Sequence, residues 1–181
     1  SGEGEAILGL LAYNEGNLKE AQSRLQTALR RGTRNDFRVM VTLAQISRRR
    51  KKEEEEIKFL KLAWKSHPEL SAEGGDSGVL GRLCRLLVER EDVLAEEALK
   101  DLVKRNRDAI WARFALAELY KEKGKVKEEF LLLRELAYIA PFKAGKLNKE
   151  LFQRLAECAE KSGYVVEAAR AKKILTSGSK P

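Results

Sequence analysis

The chain has 181 residues, of which 43% are apolar and 35% are charged, so it can bury a core and is not disordered by composition. The formal net charge is +8, but acidic and basic side chains are mixed along most of the chain, which is typical of solvated helix surfaces and not of a basic nucleic-acid stripe. Two cysteines and one histidine exclude a disulfide framework and a Cys/His metal site, and Cys84 and Cys158 are expected to be buried free thiols.

Helix is the predicted structure along the whole chain, because Leu, Ala, Glu, Lys and Arg are abundant and only three prolines interrupt them. The longest apolar stretch, residues 6–13, is too short to cross a bilayer, and no signal-peptide pattern is present. We therefore expect a soluble protein without membrane insertion, with a cytoplasmic location favoured.

The first 33 residues supply a template for a helix pair. Leu8-Gly9 is followed by Gly16, and then by Ala21, Leu25 and Ala28. The last three are spaced by four and three residues, so they share one helical face. Gly16 separates the two predicted helices, and Asn17 can cap the second.

The template recurs along the chain. The large-small pair Leu8-Gly9 returns with spacings of 35, 40, 33 and 39 residues. The turn glycine returns as Gly124 and Gly163, Lys51 takes its place in the second unit, and the turn of the third unit is expected to be one residue short. The recurring pairs are Leu43-Ala44, Leu83-Cys84, Leu116-Ala117 and Leu155-Ala156.

These features resemble the tetratricopeptide repeat family, whose unit has about 34 residues, small residues where its two helices cross and a proline at its end. Pro68 and Pro141 occupy that end position, whereas Glu56 and Glu129 stand where the family prefers alanine. The resemblance implies an all-α solenoid of about ten helices, in antiparallel pairs that form a right-handed superhelix. The array is expected over 2–177, with repeats at about 2–35, 37–70, 77–109, 110–143 and 149–177.

Two loops are longer than the family pattern requires, at residues 69–78 and 142–147. The first, ELSAEGGDSG, has the Gly and Ser content of a flexible connector and is a candidate hinge between a two-repeat half and a three-repeat half. Repeat arrays need polar ends, and this chain supplies little polar sequence at either end. We therefore expect either that the chain is a piece of a longer protein or that a partner covers one end.

A charged segment, RRRKKEEEE at residues 48–56, has two interpretations. A phosphate or nucleic-acid site is one. The favoured interpretation is that Arg48, Arg49 and Arg50 end one helix while residues 53–56 begin the next, because the helix dipole favours cations at its C-terminus and anions at its N-terminus.

In the family, the first helix of each repeat lines a concave groove that commonly binds peptides. Ala6 and Leu10 occupy places of the family's carboxylate clamp, so no such clamp is expected. Arginine and aromatic side chains are frequent interface anchors, although Trp111 and Phe114 would also suit packing against the third repeat. The predicted partner-binding residues are Arg38, Gln45, Arg49, Arg85, Trp111, Phe114, Glu118 and Lys121.

The favoured function is a scaffold that binds another protein, for example an acidic peptide segment, in the groove. An RNA-binding helical repeat is an alternative supported only by the charge, because the polar positions differ from unit to unit and nucleic acid is disfavoured. A regulatory arm of a larger enzyme is a further alternative. No catalytic or cofactor motif occurs and His67 is expected to be a surface or loop residue, so we predict no enzyme activity, metal or cofactor.

Overall fold

Eleven α-helices, one short 3-10 helix and no strand are present in the residues that the computed structural model describes, which are 1–139 and 146–177. The all-α prediction is confirmed, with one helix more than the five expected pairs. The bounds are α1 Gly2–Asn14, α2 Leu18–Arg31, α3 Asp36–Arg49, α4 Glu53–Ser66, α5 Pro68–Ala72, α6 Val79–Glu89, α7 Ala95–Arg105, α8 Ile110–Glu122, α9 Val126–Ile139, α10 Lys146–Lys161 and α11 Val165–Ser177; the 3-10 helix is Gly75–Ser77.

Five turns share one backbone conformation. In each, a single residue has a positive φ, between 52° and 83°, and ends the first helix of a pair. The N–H of the following residue donates to the carbonyl five residues before it, at 2.8–2.9 Å, which closes the helix end in the Schellman manner. The positive-φ residues are Gly16, Lys51, Glu91, Gly124 and Gly163.

The third turn differs from its prediction. Glu91 has a φ of 52° and follows Leu83 by the same eight residues that separate Leu8 from Gly16. The expected one-residue shortening was therefore wrong. A Glu side chain gives no sign of left-handed geometry, but the eight-residue distance from Leu83 indicates this turn residue as the distance from Leu43 indicates Lys51.

Small residues occupy the predicted helix crossings. Gly9, Ala44, Ala117 and Ala156 are all buried. A Cβ added to Gly9 would lie 2.7 Å from the Leu25 side chain, so a larger residue would require Leu25 to shift where α1 crosses α2. The predicted crossing positions are confirmed.

Enlarging one of these residues should destabilise the fold. Ala117 is fully buried on α8, so an Ala117→Leu substitution has no free volume for its three extra carbons. We expect the free energy of unfolding to fall by about 1–3 kcal/mol through overpacking, measured by urea unfolding followed by circular dichroism. A change of a few tenths of a kcal/mol would contradict the assigned crossing.

The segment 69–78 is ordered by close backbone contacts and does not have the structure of a flexible connector. It contains all of α5 except Pro68, the 3-10 helix, and Gly78, which directly precedes α6. A Cβ at Gly78 would lie 1.9 Å from the carbonyl oxygen of Glu73, and one at Gly81 would lie 2.4 Å from that of Asp76. Gly78 and Gly81 therefore allow the backbone on either side of the 3-10 helix to come into close contact. The second long loop, at 142–147, lies largely outside the described residues.

Two compact units divide the chain, one from Ser1 to Leu86 and one from residue 87 to 181. In the first unit α1 packs on α2, α3 packs on α4, and α2 packs on α3. In the second unit α8 packs on α9, α10 packs on α11, α7 packs on α8 and α9 packs on α10. In both units the second helix of one pair therefore covers the first helix of the next pair.

Glutamates occupy one position in three second helices, five residues after the left-handed turn residue, where the first and last pairs have Ala21 and Ala168: they are Glu56, Glu96 and Glu129. Glu56 and Glu129 are buried. A buried carboxylate requires a partner, and an arginine from the next first helix supplies it in both cases. Arg82 Nε donates to Glu56 Oε1 at 2.7 Å, and Arg154 Nη2 donates to Glu129 Oε1 at 2.7 Å.

Glu96 is satisfied in a different way. The residue equivalent to Arg82 and Arg154 in the next first helix is Ala115, which cannot pair. Lysines take over this role: Lys100 Nζ lies 2.6 Å from Glu96 Oε1, and Lys123 also bonds the carboxylate. Hydrogen bonds from these two lysines lower the pKa of Glu96 to about 2.

Candidate partner-binding surfaces

A groove runs between α1 and α3, the first helices of the first two pairs. It contains a cleft of about 320 Å³. The lining residues recur every three or four positions on each helix, so each helix turns one face toward the cleft. They are Leu10, Tyr13 and Asn14 from α1, and Phe37, Arg38, Val41, Thr42 and Gln45 from α3.

Tyr13 organises one end of this groove. Its hydroxyl donates to Gln45 Oε1 at 3.1 Å, which links the two helices. The Arg49 guanidinium lies 4.7 Å from the centroid of the Tyr13 ring, within the range of a cation–π contact. The predicted residues Gln45 and Arg49 are thus brought together, and they are held by an aromatic residue of the neighbouring helix.

Two arginines flank the cleft with their charge uncompensated. Arg38 and Arg49 are exposed, and neither has a carboxylate partner among the residues that the structure describes. In contrast, Arg24 on the outer helix α2 is paired with Glu20 and Glu5. Arg38 and Arg49 are eleven residues apart on α3, which corresponds to about 16 Å along the helix axis. The groove therefore combines apolar and aromatic walls with a cation near each end.

Phe37 was not among the predicted binding residues, although it lines the cleft. Its ring contacts that of His67 edge to face, with centroids 5.6 Å apart, and His67 Nε2 lies 3.0 Å from Asp36 Oδ1. His67 is thus a half-buried residue that joins the start of α3 to the end of α4. The four-residue spacing of Phe37, Val41 and Gln45 in the sequence indicates that these three residues share one face of α3.

Arg85, the last predicted residue in the first unit, lies half-buried on α6. Its role in binding stays a prediction.

In the second unit, the predicted residues form one face of α8. Trp111 and Phe114 are half-buried, and Glu118 and Lys121 are exposed. Glu118 accepts a hydrogen bond from Arg154 Nη1, so its carboxylate already belongs to the ion-pair network of α9 and α10. The aromatic pair retains accessible surface, and its role in binding also stays a prediction.

The charged segment at 48–56 has the arrangement that the helix dipole favours, with cations at the end of one helix and anions at the start of the next. Arg48 and Arg49 lie in the last turn of α3, and residues 53–56 form the first turn of α4. Glu56 is the exception within the segment, because it turns inward to Arg82 and is not solvated.

Neither cysteine is placed for chemistry. Cys84 and Cys158 are free and buried. Burial, and then the nearby carboxylate of Glu129, raise the pKa of the Cys158 thiol to about 11, so the thiolate is scarce at neutral pH. Within residues 1–139 and 146–177 no group of three or more His, Cys, Asp or Glu side chains could hold a metal ion. No helix in these ranges is long and apolar enough to span a membrane.

No protein-family model matches the sequence, and the comparison with curated proteins also gives no match. Solved structures do match. A crystal structure of MamA protein aligns with 96% of this chain and 89% of its own, at 16% identity and a TM-score of 0.58. A structure of MamA AMB-1 aligns with 96% of this chain and 88% of its own, at 15% identity and the same TM-score. A further crystal structure of MamA covers 94% and 93%, at 17% identity and a TM-score of 0.55.

At this level of identity the likeness concerns the fold. The chain has an all-α helical-repeat fold that resembles that of MamA.

Proposed function

We propose that this chain is a non-catalytic tetratricopeptide-type scaffold that binds an extended segment of another protein in the groove between α1 and α3. The observation that carries the proposal is a partly apolar cleft with a cation near each end, Arg38 and Arg49, neither of which has a carboxylate partner among the described residues. Both arginines extend from α3, which packs against α2 and α4, so its backbone needs no ordering when a peptide binds.

The chemistry of the groove favours an acidic peptide with a hydrophobic anchor. A separation of about 16 Å between the cations corresponds to about five residues of extended chain. Acidic side chains spaced in this way would face Arg38 and Arg49 while an apolar side chain between them enters the cleft lined by Leu10, Phe37 and Val41. The α8 face with Trp111 and Phe114 is proposed as a second contact surface within its own unit.

A charge-reversal pair tests the proposal. The probe is a fluorescein-labelled peptide with two acidic blocks separated by Leu-Phe, and binding is followed by fluorescence anisotropy. Arg38→Glu/Arg49→Glu should weaken the affinity at least about tenfold, because attraction becomes repulsion at both ends of the cleft. The wild-type affinity should also fall as salt rises, since screening acts within about 10 Å at 0.1 M.

A matched control separates the groove from the overall charge. Lys19→Glu/Arg30→Glu changes the net charge equally, but its two exposed side chains are on α2. This control should bind the peptide within about twofold of wild type at 0.15 M salt. Equal losses in both variants would contradict a groove site. Tighter binding of an oligouridine RNA than of the peptide, with the same dependence on Arg38 and Arg49, would favour the RNA alternative.

A further inference from the structure

The two ends of the groove between α1 and α3 hold their arginines in different ways. The Arg49 guanidinium lies 4.7 Å from the centroid of the Tyr13 ring. Arg38 is exposed, and its side chain makes no hydrogen bond, ion pair or ring contact within residues 1–139 and 146–177. One cation is therefore held against an aromatic face, while the other keeps the rotational freedom of a solvated side chain.

Tyr13 is itself fixed at both its hydroxyl and its backbone. The hydroxyl donates to Gln45 Oε1 of the neighbouring helix at 3.1 Å. The Tyr13 carbonyl accepts a hydrogen bond from the Gly16 N–H at 3.0 Å, in the turn that closes α1. The half-buried Tyr13 ring therefore has a defined place at the end of the groove, and the guanidinium that contacts it has one as well.

Contact with an aromatic face leaves Arg49 able to bind an acid. The face of a tyrosine ring attracts a cation but offers no oxygen to the guanidinium N–H groups, so these donors remain available. A guanidinium binds a carboxylate most strongly in a fixed, side-by-side geometry. An arginine that already holds its position loses less rotamer freedom when that geometry forms.

The negative end of the α3 dipole opposes an acid at this place only weakly. Arg49 lies in the last turn of α3, where unpaired carbonyl groups carry partial negative charge. The carbonyls of Ser47 and Arg48 already accept hydrogen bonds, from the Lys52 N–H at 2.8 Å and from the Lys51 N–H at 3.0 Å. The full charge of the guanidinium is also larger than the half charge of a helix end.

We propose that Tyr13 is a positioning residue that makes the Arg49 end of the groove its acid-specific end. The inference rests on the proposed function and deepens it. A bound segment needs a carboxylate beside Tyr13, where the geometry of the arginine is fixed. It tolerates a neutral residue beside Arg38, which attracts acidic segments over a distance without holding one carboxylate in place.

Half-acidic peptides test the difference between the two ends. The reference is the fluorescein-labelled peptide with two acidic blocks separated by Leu-Phe, and two further peptides carry glutamines in place of either the first or the second block. Both are measured by anisotropy, because a segment can lie in the groove in either direction. One of them should bind about two- to fivefold more tightly than the other, which is the size of a cation–π contact at an exposed site. Equal affinities would overturn the proposal.

Two substitutions at Tyr13 separate the ring from the hydroxyl. Tyr13→Leu removes the ring, so it should weaken binding of the fully acidic peptide about two- to fivefold and make the two half-acidic peptides bind equally. Tyr13→Phe keeps the ring and loses only the hydrogen bond to Gln45, so it should bind within about twofold of wild type and keep the preference. Circular dichroism and urea unfolding verify that both variants fold.

Arginine variants distinguish positioning from a general loosening of α1. Adding Tyr13→Leu to Arg38→Gln should weaken binding as it does in the wild type, whereas adding it to Arg49→Gln should have no further effect. A purely structural role of Tyr13 would weaken binding equally in both backgrounds, and that result would overturn the proposal.

A measurement without peptide checks the contact itself. In NMR spectra, the side-chain signals of Arg49 should be shifted upfield by the ring current of Tyr13, and the shift should disappear in Tyr13→Leu but not in Tyr13→Phe. Peptide binding that depends on Arg38 and Arg49 but not on Tyr13 would overturn this inference alone. A wild-type chain that does not bind the fully acidic peptide would overturn the proposed function as well.

Discussion

Replacing Arg154 with methionine should lower the free energy of unfolding by about 3–5 kcal/mol, because it leaves the Glu129 carboxylate buried without its cation. The Glu129 side chain is only 6% exposed and that of Arg154 11%. Arg154 donates to Glu129 Oε1 from Nη2 at 2.7 Å and from Nε at 3.3 Å, and it also bonds Glu118. Methionine has about the length of the aliphatic part of arginine, so the substitution leaves little cavity. The fall in the free energy of unfolding should therefore come mainly from the missing charge.

A double variant provides the control for this result. Glu129→Met/Arg154→Met removes both charges and fills the same space with apolar atoms, so its stability should return to within about 1 kcal/mol of wild type. Urea unfolding of the wild type, the two single variants Glu129→Met and Arg154→Met, and the double variant gives the coupling between the two residues. A loss below about 1 kcal/mol in the Arg154→Met variant would show that water, and not the arginine, compensates Glu129. The partly exposed Arg82 should give a smaller loss when replaced in the same way.

Gly81→Ala should lower the free energy of unfolding by about 3 kcal/mol, although the substitution adds a single methyl group and improves helix propensity. The new Cβ would lie 2.4 Å from the carbonyl oxygen of Asp76 and 2.6 Å from that of Gly75. Backbone atoms cannot rotate away as a side chain can, so the 3-10 helix before α6 would have to move. Thermal and urea unfolding of the variant measure the cost.

Gly4→Ala is the matched control, because an added Cβ on this α1 glycine meets nothing within 4 Å. Without a clash only helix propensity remains, and the protein should gain about 0.5–1 kcal/mol. A Gly81→Ala variant as stable as wild type would mean that the segment at 69–78 yields easily. In that case the segment would have the flexibility that its composition suggests.

The periodicity of the sequence was sufficient to predict the structural features that repeat along the chain. The large-small pairs and the turn residues recur with the same spacing, since each pair of helices must leave one face for the next pair. Gly9 and Ala117 could be placed at helix crossings because the pattern resembles the tetratricopeptide repeat, which has small residues where its two helices cross. Even Lys51, an unfavourable residue for its left-handed turn, could be identified from its distance to Leu43.

The partners of the charged residues could not be predicted in this way. Glu129 and Arg154 are 25 residues apart, and Tyr13 and Arg49 are 36 apart, so no local pattern links them. Charged residues on a helix are usually solvated, and from the sequence Glu56 was expected only to lie at the start of a helix. Only the packing of one pair on the next shows that this carboxylate is buried and that an arginine meets it.

The sequence by itself therefore determined the helices and their pairing, because these follow from periodicity along one chain, and its resemblance to a known repeat placed the small residues at the crossings. The tertiary structure alone decided that glycines in the segment 69–78 allow close contact, that Glu56, Glu96 and Glu129 are paired, and that Arg38 and Arg49 have no carboxylate partner in the part of the chain that the structure describes. The physical reason is that burial and charge compensation depend on atoms from neighbouring helices, whose distance in sequence is set by packing and not by the period of the helix.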